Sequence, residues 1–118
     1  MLKVRVTVEA RHTEDIEKVK IALTNVFTPD KLEEFEESRG VRIVAHSNKL
    51  SSLQKLRELI RRERILDAAH RVMRAGMGDE VMVFHLNKQA AYMGKVSFSD
   101  PGESPLGAIT FEIWCSDI

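Results

Sequence analysis

The chain has 118 residues, 43% of them apolar and 31% charged, enough for one compact domain with a shared core and too few for two independently stable ones. That balance excludes a disordered or collagen-like chain. Eighteen Lys plus Arg offset eighteen Asp plus Glu, which excludes a uniformly basic protein, but the sign is uneven: residues 1–8 carry +2, residues 9–37 carry −5, residues 38–75 carry +7 from ten bases and three acids, and residues 76–118 carry −4.

The N-terminal Met1-Leu2-Lys3-Val4-Arg5 alternates charged and apolar residues, where a leader would show an apolar run of about 7 to 15 positions, and no later stretch is long and apolar enough for a bilayer. The expectation is a cytoplasmic protein with no membrane partner. Val4-Arg5-Val6-Thr7-Val8 has the period-two pattern of a strand with one buried face, predicted over Leu2–Ala10. Thr13 is the expected cap of a helix with Glu14 and Asp15 in its first turn and Ile16, Val19, Leu23, Val26 and Phe27 as its apolar stripe. Pro29 ends or redirects it. Lys31–Glu37 fits either a helix opening at Thr28-Pro29-Asp30 or a short strand turning at Ser38-Arg39-Gly40. Val41–His46, rich in β-branched residues, reads as a strand.

Ser51 to Ala75 contains neither Pro nor Gly, and Ser51 with Gln54 has the spacing of a capping box, so the whole stretch is predicted helical. On a helical wheel Leu53, Leu56, Leu59 and Ile60 point roughly 140° away from Ile65, Leu66, Ala69, Val72 and Met73. One straight helix cannot bury both sets in a single core. A break near Arg61–Arg64 follows, with the second helix ending at Gly76 in the C′ position. Val81–Leu86 reads as a strand, Asn87 as the cap of a short helix over Lys88–Tyr92, and Gly94 as the release into Lys95–Phe98. Asp100–Pro105 is a loop by composition. The last strand places Ile109, Phe111, Ile113 and Cys115 on one face and Thr110, Glu112 and Trp114 on the other. The predicted fold is a single α+β domain over residues 1–118: a single-layer, mixed or mainly antiparallel sheet of five to six strands, with helices packed on one face.

Two segments have the chemistry of an anion site. Arg57, Arg61, Arg62, Arg64 and Arg71 lie on the basic helical stretch with Lys55 and Arg74, and guanidinium groups on one accessible face bind phosphates and release counterions. The alternative is a solvated face paired with Glu58, Glu63 and Asp67. In the second segment, Asn87, Lys88, Gln89 and Tyr92 open a short helix, with Lys95 just beyond; Lys88 and Lys95 would add charge, the amides would contact base or sugar, and Tyr92 would stack on an unpaired base. Alternatively Asn87 only caps the helix while Ala90, Ala91 and Tyr92 pack on the sheet. No signature of catalysis, a metal or a cofactor accompanies them. The histidines His12, His46, His70 and His85 lack paired metal spacing, Cys115 has no second cysteine, and no glycine-rich phosphate loop occurs.

Leu86-Asn87-Lys88-Gln89-Ala90-Ala91-Tyr92, Gly94-Lys95-Val96-Ser97-Phe98, Ser104-Pro105-Leu106-Gly107 and Leu56-Arg57-Glu58-Leu59-Ile60-Arg61 together resemble the archaeal uncharacterised protein family 0201, described as a predicted RNA-binding domain. The resemblance implies a fold similar to that of the large-subunit ribosomal protein five, an archaeal source and a role with RNA. It carries no catalytic residues. The expected function is a non-catalytic RNA-binding protein associated with ribosomes or RNA processing. The rival is a protein-interaction module or homodimer in which the basic segment of one chain meets the acidic segment of another.

Overall fold

The computed structural model describes residues 2–99 and 107–115; the expected Asp100–Pro105 loop and most of the Ser104–Gly107 turn lie outside them. The elements in order are β1 (Leu2–Arg11), α1 (Ile16–Val26), β2 (Lys31–Glu37), β3 (Gly40–Ser47), a 3-10 turn (Leu50–Leu53), α2 (Gln54–Arg62), α3 (Leu66–Ala75), β4 (Val81–Asn87), α4 (Lys88–Tyr92) and β5 (Ala108–Cys115). Five strands make one antiparallel sheet in the order β2-β3-β1-β5-β4. The fold is α+β, with β1 in the centre.

Alternation along the strands divides the sheet into two faces. Val4, Val6, Val8 and Ala10 of β1 are buried together with Ile43 and Ala45 of β3, Phe84 and Leu86 of β4, and Ile109 and Phe111 of β5. This face receives Leu23, Val26 and Phe27 from the α1 region and Leu56, Leu59 and Ile60 from α2. Phe111 anchors the layer, stacked on Phe84 at 5.0 Å and edge-on to Phe27 at 5.9 Å. The opposite face carries Arg5, Thr7, Val44, His46, Thr110 and Glu112, and among the described residues only strand residues line it.

Lys31–Glu37 resolves as a strand, paired along its length with β3. Gly40 closes that hairpin with φ +148°, and a Cβ there would lie 2.1 Å from the Ala10 carbonyl oxygen, so the turn admits only glycine.

Several expected local details differ. Asp15, not Thr13, caps α1, its Oδ1 accepting from the Glu17 amide at 2.9 Å. The Ser51–Gln54 capping box does not form: the chain enters through the 3-10 turn, where Ser52 Oγ donates to the Lys49 carbonyl at 2.6 Å, and Gln54 donates to Glu58 instead. Lys95–Phe98 joins the sheet only through the Leu86–Phe98 bridge.

The break between α2 and α3 falls where the two apolar directions require it, although Leu66 itself is 52% exposed. Gly76 ends α3 with φ −89°, so its role is not a left-handed cap. A Cβ there would fall 1.8 Å from the Val83 carbonyl oxygen, and close approach to β4 is what demands glycine.

Candidate nucleic-acid interface

The α2–α3 corner is a Schellman turn. The Ile65 amide reaches back to the Ile60 carbonyl at 3.2 Å and the Arg64 amide to the Arg61 carbonyl at 3.2 Å. Arg64 occupies the left-handed position with φ 56°, the one non-glycine residue with positive φ among the described residues. Glycine fits such a site with less strain.

The corner is tied to the segment after α4. Glu63 Oε2 accepts from the Val96 amide at 2.8 Å, and Arg62 Nη2 donates to the Gly94 carbonyl at 3.3 Å. Lys95, exposed, sits between those two anchors. Asn25 Nδ2 donates to the Ala91 carbonyl at 2.9 Å, fixing α4 against α1. The arginine corner and the α4 segment therefore share the helix-bearing side, and the two sequence-predicted clusters meet at Gly94–Val96.

Arg57, Arg61, Arg62 and Arg64 are exposed. Among the described residues none of them, nor Arg71 or Arg74, forms an ion pair. Glu58 and Glu63, the acids adjacent in sequence to Arg57, Arg62 and Arg64, are engaged with Gln54 and the Val96 amide. Arg71 is exposed but lies along α3, beside Asp67 and His70, away from the corner. Lys55 leaves the cluster, its ammonium donating to the Thr24 carbonyl in the last turn of α1 at 2.8 Å.

The α4 residues divide. Asn87 caps the helix, its Oδ1 accepting from the Ala90 amide at 2.8 Å, and is held in that role. Lys88 is a correction to the sequence expectation: only 4% exposed, it donates to the Glu9 carbonyl at 2.6 Å and pairs with Glu14 at 3.2 Å. Its charge is consumed inside the protein. Gln89 and Tyr92 remain accessible, Tyr92 at 40%. With Met93 and Asp15 they line a cleft of about 430 Å³ between α1 and α4.

Three of the four β2 carboxylates are engaged away from the corner. Glu34 binds Lys20 at 2.6 Å, Glu37 binds Arg42 at 3.3 Å, and Glu33 Oε1 lies 3.1 Å from His46 Nε2, all within α1, β2 and β3. The hydrogen bond from Lys20 to Glu34 raises the pKa of that ammonium above its ordinary value. Sequence reasoning missed this capture, because α1 and β3 meet β2 only in the folded sheet.

A family model described as RNA binding matches residues 3–114. The chain is 49% identical over 119 residues to a UPF0201 protein of Pyrobaculum neutrophilum, covering 99% of this chain and 83% of that one. A UPF0201 protein of Metallosphaera sedula is 44% identical over 119 residues, with coverage of 100% and 82%. Among solved structures, a UPF0201 protein from Methanococcus jannaschii superimposes with a TM-score of 0.87 at 34% identity, covering 98% of this chain and 83% of that one. A match that runs from β1 through the arginine corner to β5 makes this chain a member of the archaeal UPF0201 family.

Proposed function

We propose that the protein binds RNA, without catalysing a reaction on it, through the helix-bearing side, as a cytoplasmic factor associated with ribosomes or RNA processing. The observation that carries this reading is the corner itself: Arg61, Arg62 and Arg64 are exposed and form no ion pair among the described residues, and Arg64 stands in a backbone conformation that favours glycine. Arg57 and Lys95 extend the charge on either side. Phosphate contacts by these groups supply affinity, and Gln89 and Tyr92, beside the α1–α4 cleft, supply base contact and stacking. Lys88 and Asn87 belong to the scaffold that positions them.

The rival homodimer, basic segment on acidic segment, has less support, since three of the four β2 carboxylates, Glu33, Glu34 and Glu37, are engaged within their own chain. Titration of the protein with total archaeal RNA at two salt concentrations tests the proposal. Affinity falls steeply with salt, and Arg61→Ala/Arg62→Ala/Arg64→Ala lowers it on the order of a hundredfold while flattening the log–log salt slope by about three. No binding at low salt would sink the reading.

A further inference from the structure

The open sheet face has a different electrostatic character. It holds a shallow groove of about 560 Å³ floored by Thr7, Val44 and Thr110. Arg5 is bound twice to Glu112, at 2.8 and 3.0 Å, Arg42 reaches Glu37 at 3.3 Å, and Lys31 reaches Glu33 at 3.9 Å. The hydrogen bond to Glu112 holds the Arg5 pKa above its ordinary value. Trp114 lies under Arg5 at 5.1 Å and Lys3 at 5.3 Å, and Phe35 lies under Arg42 at 5.2 Å. Cations paired in this way release few counterions to a polyanion. A second neutral face meets them without net repulsion.

We propose that this face docks a second copy of the chain, sheet against sheet, about a two-fold axis running along β1. The register gives the complementarity. One row across the sheet reads Lys31, His46, Arg5, Glu112, Val83, and the next reads Glu33, Val44, Thr7, Thr110, His85. Because β1 is central in the order β2-β3-β1-β5-β4, the two-fold exchanges β3 with β5 and β2 with β4. His46 then faces the partner's Glu112, Glu33 faces the partner's His85, and Val44 faces the partner's Thr110, each carboxylate keeping its contact in its own chain; Arg5 and Thr7 lie on the axis, and each Arg5 is neutralised by its own Glu112. Five strands about 4.8 Å apart and about seven residues long at 3.3 Å per residue cover roughly 550 Å² per copy, so roughly 1,100 Å² in total, which clears the ~1,000 Å² of a specific interface. Aligned packing of twisted sheets brings the two faces together. Both arginine corners stay outside, so this assembly is independent of the RNA reading.

Sedimentation velocity on the full chain over a micromolar dilution series, with Trp114 emission recorded on the same samples, tests the dimer. At high concentration the mass is twice the 13.4 kDa of one chain, and on dilution it halves as Trp114 emission moves to the red. Thr7→Arg adds two further guanidinium groups on the axis, flanked in their row by Val44 and Thr110 with no carboxylate to neutralise them, and weakens association roughly tenfold or more. His85→Glu opposes the partner's Glu33 and also weakens it; adding Glu33→Lys to His85→Glu restores it, which a merely misfolded variant would not do. A wild-type chain that is monomeric throughout overturns the proposal, as does a dimer whose Trp114 emission ignores dilution. Loss of the dimer in the Arg61/Arg62/Arg64 alanine variant, with Thr7→Arg unaffected, overturns it in favour of the basic segment. RNA that shifts Trp114 emission of a single chain overturns it in favour of a nucleic acid on the sheet.

Discussion

On the open sheet face, Arg5 and Arg42 each lie against a carboxylate and over an aromatic ring; on the helical side, Arg61, Arg62 and Arg64 have neither among the described residues. The residue type is the same and its electrostatic consequence is opposite. A guanidinium already bidentate to a carboxylate has little field left at a Debye length, whereas an unpaired cluster at a helix corner projects one. Net charge therefore says less about partners than does the distribution of pairing. The helical side is itself divided, since Lys88 is buried against Glu14 while Lys95, seven residues on, is exposed.

That division breaks first at Lys88. Lys88→Ala leaves the Glu14 carboxylate, 12% exposed, without its counter-charge and costs about 3 kcal/mol by chemical denaturation, with RNA affinity of the folded protein unchanged. A Lys88 variant that keeps its stability and loses RNA would place this lysine in the interface instead. Next in size is the separation of folding from binding at the corner. Arg64→Gly relieves the left-handed strain and raises stability by about 0.5 to 1 kcal/mol while weakening RNA binding, read by melting and titration on the same samples. If stability falls instead, the arginine serves the fold.

The smallest effect lies at the edge of the sheet. The Ser47 hydroxyl donates to Asp30 Oδ2 at 2.7 Å, and this bond, with Lys49 nearby, holds the Asp30 carboxyl below its ordinary pKa. A carboxyl whose folded pKa is depressed favours the fold above its unfolded pKa, and that contribution is lost as pH falls through the folded value. Ser47→Ala moves the Asp30 titration upward, toward the ordinary carboxylate range, as followed by NMR. An unmoved titration would assign the shift to Lys49.

Much of the chain was legible because its signals are local. The β1 alternation, the Asn87 cap and the two incompatible apolar directions of α2 and α3 each lie within one or two turns of chain, and each element forms where those patterns put it. Lys31–Glu37 was ambiguous for the same reason: only Leu32 and Phe35 are apolar, and pairing with β3 made it a strand. Thr13 and Ser51 were plausible caps, but two competing acceptors lay within a few residues, and tertiary entry angles chose Asp15 and the 3-10 turn.

By itself the sequence determined the α+β class, the alternating faces of β1 and β5, the bend at Arg61–Arg64 and the polarised charge. Tertiary structure alone decided which charges remain available. Arg5 and Glu112 are 107 residues apart and Lys88 and Glu14 are 74 apart, yet both pairs close when the sheet assembles. Coulomb attraction depends on distance in space and on burial, neither of which is written in spacing along the chain. Folding paired Glu33, Glu34 and Glu37 of β2 with β3 and α1 and buried Lys88, and among the described residues it left the arginine corner without an ion pair.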